Sequence, residues 1–221
     1  MKCGKTAICL SGSFKRPFDD KIIRGFFNNI NESDTFYSYD VFLHAYCDAA
    51  DHNYISSTFT PFRHRYDTDY SSCETGTYEK ELYGVMIANE LKRQHEIEND
   101  FRYDLVIKAD LNSMLYAGNA FPIHHLSPRT LYSCNKYIPE TLTNFSTPAI
   151  FDEIYWGDSQ SVDVAASLYR YYRFHCVVES FKIDCHEDKA KDPKDYYFDK
   201  RALLYSRLVK HNIKHEKTNL W

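Results

Sequence analysis

Apolar residues in this chain gather in short unbroken runs that stop abruptly at polar groups. Thr6-Ala7-Ile8-Cys9-Leu10 stops at Ser11-Gly12-Ser13. Tyr39-Asp40-Val41-Phe42-Leu43 stops at His44, and Leu105-Val106-Ile107 breaks into Lys108, Asp110 and Asn112. Short apolar runs bounded by polar signals predict strands buried on both faces. Helical spacing lies between them, first through Ile22, Ile23, Phe26 and Phe27. It returns over Tyr78 to Glu98, where Leu82, Val85 and Met86 share a face with Ala88 and Leu91 beside it. Strand, helix and strand in this order predict an α/β fold with a mostly parallel central sheet flanked by helices. Two more helices are predicted, one over Ser161 to Tyr172 on Val162, Ala165, Leu168, Tyr169 and Tyr172, the other over Lys200 to His211 on Leu203, Leu204 and Leu208. Residues 48–72 show no period and read as a long loop. The chain after Asn112 reads as irregular, with Pro122, Pro128 and Pro139, and Lys189 to Tyr197 as a charged loop.

Buried strands that end in charged and amide groups put those groups at the carboxyl edge of the sheet, where open α/β folds hold their ligands. Asp110 and Asn112 supply only hard oxygen donors, which suit Mg²⁺ or Mn²⁺ rather than zinc. Lys108 beside them suits a phosphate. The same Asp-x-Asn also serves as an ordinary turn, because both side chains bond their own backbone. Ser11, Gly12 and Ser13, with Arg16 and a helical pattern just beyond, make an anion cradle. They match neither a dinucleotide fingerprint nor a Walker loop. Asp67-Thr68-Asp69 is a rival metal pair on what reads as a solvated loop, and His44 reads as a structural histidine. Asp152 and Glu153 precede a helix, where carboxylates either complement the helix dipole or act in catalysis.

At 221 residues the chain is expected to be a single domain, 1–221. Its 43% hydrophobic and 26% charged residues are those of a globular protein. A formal charge of −4 with no basic run argues against nucleic acid or an anionic membrane as the main partner. The 19 tyrosines and 15 phenylalanines suit stacking on bases or sugars as well as a core. Seven scattered cysteines without a C-x-x-C fit free thiols in a reducing compartment. No stretch reads as a signal peptide or approaches the ~20 apolar residues of a membrane span, so a cytoplasmic location is expected.

Taken in order, four stretches resemble the small GT-A-type glycosyltransferases of large DNA viruses and polysaccharide-synthesising bacteria. Ala7 to Arg16 is similar to their first strand and nucleotide loop, and Tyr39 to His44 to their second strand. Tyr78 to Asn112 is similar to their helix, "YD-V-I" strand and metal motif. Phe151-Asp152-Glu153-Ile154-Tyr155-Trp156-Gly157-Asp158-Ser159, running into Val162-Asp163, is similar to a late "D-x-F-A-x-G-S … M-D" segment. The likeness covers roughly residues 1–175. The family's post-strand motif often ends in an acid. Here Asn112 keeps an oxygen ligand and drops a charge.

The resemblance implies a single GT-A-like, Rossmann-like domain, with a nucleotide-binding half over about 1–115 and an acceptor-side half over about 116–221. It implies a hexosyltransferase that moves a sugar from a nucleotide diphosphate sugar, UDP-linked by expectation, to a glycan or glycoprotein acceptor. Mn²⁺ or Mg²⁺ would sit on Asp110 and Asn112, and Ser11, Gly12, Ser13, Arg16 and Lys108 would hold the nucleotide. Asp152 or Glu153 would take the acceptor's proton. A viral origin would put it in the host cytoplasm. Two alternatives stay open: a non-catalytic nucleotide-sugar or glycan binding module with a degraded metal site, and a hydrolytic α/β enzyme using Asp67 and Asp69.

Overall fold

The computed structural model describes residues 4–14, 25–27, 38–68, 77–111, 126–134, 154–171 and 200–218. Among the described residues seven strands form one sheet: β1 (Thr6–Ser13), β2 (Tyr39–Tyr46), β3 (Arg63–Asp67), β4 (Leu105–Asp110), β5 (Thr130–Cys134), β6 (Ile154–Gly157) and β7 (Lys214–Thr218). Their spatial order is β3-β2-β1-β4-β6-β5-β7, which puts β4 at the centre. β1 pairs parallel with β2 and β4, β2 with β3, and β5 with β7. β6 pairs antiparallel with both β4 and β5, so it alone runs against the other six. The expectation of a mostly parallel sheet is met.

Both faces of the central strands are apolar because both are covered. On one face Ile8, Leu10, Val41, Leu43, Leu105, Ile107 and Ala109 pack with Ile55 and Phe59 of α1 (His52–Phe59) and with Phe26. On the other, Ala7, Cys9, Phe42 and Val106 pack with three helices. These are α2 (Thr77–Glu98), α3 (Ser159–Ala166) and α4 (Lys200–Lys210), through Leu82, Ala88, Val162, Ala165, Leu204 and Leu208. The alternation along β1, β2 and β4 thus sorts one apolar run into two cores. Cys9 and Cys47 are free and buried in them, and burial pushes their thiols up to about 12 and about 11. Unreactive packing of this kind agrees with the free-thiol reading of those two cysteines.

Three expectations need correction. Residues 48–72 are not one long loop. A 3₁₀ turn (Ala49–Asp51), α1 and β3 lie within them. β3, Arg-His-Arg-Tyr-Asp, carries no apolar run because it is an edge strand with partly exposed side chains. The chain after Asn112 contains β5, and the segment before α3 is a fully buried strand, β6, rather than a loop. The helix expected from Ser161 begins at Ser159, where the Asp158 side chain caps it through Ser161 N, and a turn at Ser167 interrupts it.

Candidate functional site

The chain lays β1, β2 and β3 outward in one direction and then returns to place β4 on the other side of β1. The order reverses between β1 and β4. At such a switch point the connections leave in opposite directions and open a crevice at the carboxyl ends of the strands, where open α/β sheets bind their ligands. The register identifies what stands there. Ser11 lies opposite Asp110 on β4 and opposite His44 on β2, and His44 lies opposite Arg65 on β3. One row across four strands therefore reads Arg65, His44, Ser11, Asp110. The Leu111 amide donates to the Ser11 carbonyl at 2.8 Å, carrying the β1–β4 pairing one residue past the strand end.

Gly12 adjoins that row at a φ of 141°, a backbone conformation that strains any side chain. A Cβ there would stand 3.0 Å from Asp110 Oδ2. The Asp110 carboxylate thus rests against bare backbone, the kind of close approach a glycine permits. Ser13 ends β1 half-buried, opposite Tyr46. Lys108 shares the Asp110 face one pleat below. It is buried, lies opposite Cys9 and Tyr155, and holds its ammonium 5.4 Å from the Tyr155 ring centroid. A fixed cation beneath a carboxylate at a sheet edge suits a phosphate-bearing ligand.

Ser11, Gly12, Ser13, Lys108 and Asp110 thus stand together at one edge, as the sequence reading expected. Arg16, Asn112, Asp152 and Glu153 lie outside the described residues. β6 begins with Ile154 opposite Ala109, the residue before Asp110. Because β6 alone is reversed, its first residue stands at the edge where the other strands finish.

His44 and Asp67 acquire partners that the sequence did not signal. His44 is fully buried and its Nε2 lies 3.0 Å from Asp67 Oδ2, while Arg65 Nε donates to Asp67 Oδ1 at 3.1 Å. Burial pushes the Asp67 carboxyl up, but the hydrogen bonds from His44 and Arg65 outweigh it and hold the group below its usual range. Each Asp67 oxygen accepts from one of these donors, and Asp69, the other half of the rival metal pair, lies outside the described residues. Ser11 and His44 cannot act as a nucleophile and base, because both side chains are buried beneath α2 at Gly84.

For a divalent ion, Asp110 offers a hard carboxylate on open backbone. Among the described residues no group of three or more His, Cys, Asp or Glu side chains could hold a metal. Among the described residues, too, no helix is long and apolar enough to cross a membrane. No protein-family model matches the chain, and no curated protein matches it.

Proposed function

We propose that this chain is a GT-A-like glycosyltransferase, moving a sugar from a nucleotide diphosphate sugar, UDP-linked in the leading form, to a glycan or glycoprotein acceptor. One observation carries the reading: Ser11 is in register with Asp110, and Gly12 lies against the Asp110 carboxylate, at the point where the strand order reverses. That is where a sheet of this kind holds a nucleotide. The buried Lys108 and the open backbone at Gly12 add a cation and a close approach for phosphate oxygens.

Each group then has a task. Gly12 and Ser13 line the nucleotide beside the buried Ser11, and Lys108 with Arg16 counters the charge that grows on the diphosphate as the glycosidic bond breaks. Mn²⁺ or Mg²⁺, held by Asp110 and Asn112, would supply Lewis-acid neutralisation of the same leaving group. Asp152 or Glu153, just ahead of β6, takes the acceptor hydroxyl's proton if the transfer inverts. The second reading, a nucleotide-sugar or glycan binding module, draws on Asn112, whose amide leaves the metal one charge short.

The test is a thermal-shift panel of UDP, GDP, CDP and dTDP and their sugars, with and without Mn²⁺. A ligand at a hundredfold excess over its Kd adds about 2.7 kcal/mol to stability. One nucleotide family should raise the melting temperature, more so with Mn²⁺. Asp110→Ala should abolish the Mn²⁺-dependent part, and Asp67→Ala should leave it in place. A metal-independent shift without sugar transfer would favour the binding module. Silence across the whole panel would end both readings.

A further inference from the structure

His44 has no exposed surface, and its two ring nitrogens have unequal surroundings. Nε2 meets Asp67 Oδ2 at 3.0 Å, and Nδ1 has no hydrogen-bond partner. Asp67 remains an acceptor, since Arg65 and His44 both donate to it. Nε2 therefore carries the hydrogen of the neutral ring and Nδ1 its bare lone pair, an assignment made from the network.

What covers Nδ1 is the backbone of α2. A Cβ placed on Gly84 would stand 3.0 Å from His44 Nδ1 and 3.4 Å from Ser11 Cβ. Mid-helix glycine costs about 1 kcal/mol against alanine, and here it lets the helix lie directly on the ends of β1 and β2. Tyr46 and Tyr83 set their rings edge-on to the imidazole at 4.8 and 5.7 Å. The carbonyls of a helix interior are spent on their own i+4 amides. A second proton on His44 thus finds no acceptor while α2 is seated.

The charged groups that face the ring are Asp67 and Arg65, both on β3. Among the described residues the other packed elements contribute Tyr46 from β2, Ser11 from β1, and Tyr83 and Gly84 from α2, with no carboxylate, amine or guanidinium among them. Burial lowers the His44 proton affinity, and it outweighs the opposing pull of the Asp67 carboxylate.

We infer that His44 is a pH-sensitive latch: neutral, it lets the Gly84 turn of α2 seat on the carboxyl ends of β1 and β2, and protonated, it releases that turn and uncovers Ser11. The latch acts on the edge of the candidate site and holds whether or not the chain transfers a sugar. Its sign follows from linkage. The seated state resists the proton, whereas a released, solvated imidazole takes it with an ordinary pKa near 6.5. Seating is therefore complete at neutral and higher pH and is lost as pH falls. The opening equilibrium scales as 1 + 10^(6.5 − pH), a gain of about 30-fold at most at pH 5 and almost none at pH 8.

Amide hydrogen exchange over Leu82 to Ala88, corrected for the intrinsic chemical rate, reads this directly. Lowering the pH from 8 to 5 should accelerate exchange in that segment toward about 30-fold. His44→Gln, which can still donate to Asp67 but does not titrate, should shrink the rise to less than about twofold on the same scale. Flat wild-type exchange across this range, or a full rise retained in His44→Gln, overturns the latch. If His44→Gln does not fold, the wild-type ring titration decides by NMR. A His44 resonance that titrates near 6.5 while α2 exchange stays unchanged overturns it equally.

Discussion

Thr60 closes α1 at φ 42° and ψ 52°, in the left-handed region, with its amide bonded to the Ser56 carbonyl at 3.0 Å. A β-branched side chain is costly there, by roughly 1–2 kcal/mol, and Pro61 restricts the residue further. Glycine at this position would relieve the strain and give back part of the gain as unfolded-state entropy. Thr60→Gly should raise stability by up to about 1 kcal/mol, seen as a melting temperature higher by about 2–4 °C, whereas Thr60→Ala keeps the strained backbone and should show little gain. The same residue explains why α1 was invisible in the sequence. A helix stop is normally read from Gly or Asn after the last turn, and Thr-Pro gives no such sign. Gly12 was the reverse case. Ser11-Gly12-Ser13 reads as a polar turn ending the first strand, yet β1 runs on through Ser13, and Gly12 takes its unusual φ inside the strand, against Asp110.

Between elements, the firmest connection is a buried ionic cluster joining α2 to α3. Lys92 has no exposed surface and donates to Ser159 Oγ at 2.5 Å and to Asp163 Oδ1 at 2.8 Å, with Glu96 Oε2 at 3.2 Å. Glu96, also buried, accepts from the Tyr103 amide at 2.9 Å and from Ser159 Oγ at 2.7 Å, and Arg102 reaches Asp163 at 2.9 Å. In sequence Lys92 and Glu96 look like an i,i+4 pair on a solvated helix face. Helical period identifies the face but not what covers it, and here α3 does, coming from 67 positions along the chain. The consequence is large, because a solvated pair is worth a few tenths of a kcal/mol and a buried one is not dispensable. Lys92→Met should leave Glu96 and Asp163 short of a partner and cost about 3 kcal/mol in urea unfolding. Adding Glu96→Leu to it should cost less than the sum of the two single changes.

At the scale of the molecule, the apolar runs of β1, β2 and β4 were readable, whereas the other strands, the short buried β6 among them, were not. β1, β2 and β4 are central, apolar on both faces, and end at the polar residues that form the candidate site. β3 and β7 sit at the two edges of the sheet and are written in Arg, His, Lys and Glu. Their strand character comes from pairing with a neighbour rather than from their own pattern. The switch point follows from strand order, which no local pattern encodes. Hence Ser11 and Asp110 could be named as candidate site residues from the sequence, while their register could not. His44 and Asp67 meet only because β2 and β3 are paired, so their contact was out of reach as well.

The last of these strands has a consequence for the chain's behaviour toward its own copies. β7 closes the sheet beside β5, whose Thr130, Leu131, Tyr132 and Ser133 are all buried. Last in order among the described strands, it carries Lys214, Glu216 and Lys217 exposed, and charge of that kind keeps a sheet edge from recruiting another strand. A chain ending at Asn212 would expose the backbone row of β5 beneath it, flanked by apolar side chains. Such a protein should self-associate, moving to larger species in size-exclusion chromatography as its concentration rises while the full chain elutes unchanged. Five charged and polar residues, Lys214 to Thr218, would then be what keeps the sheet from continuing into its neighbour.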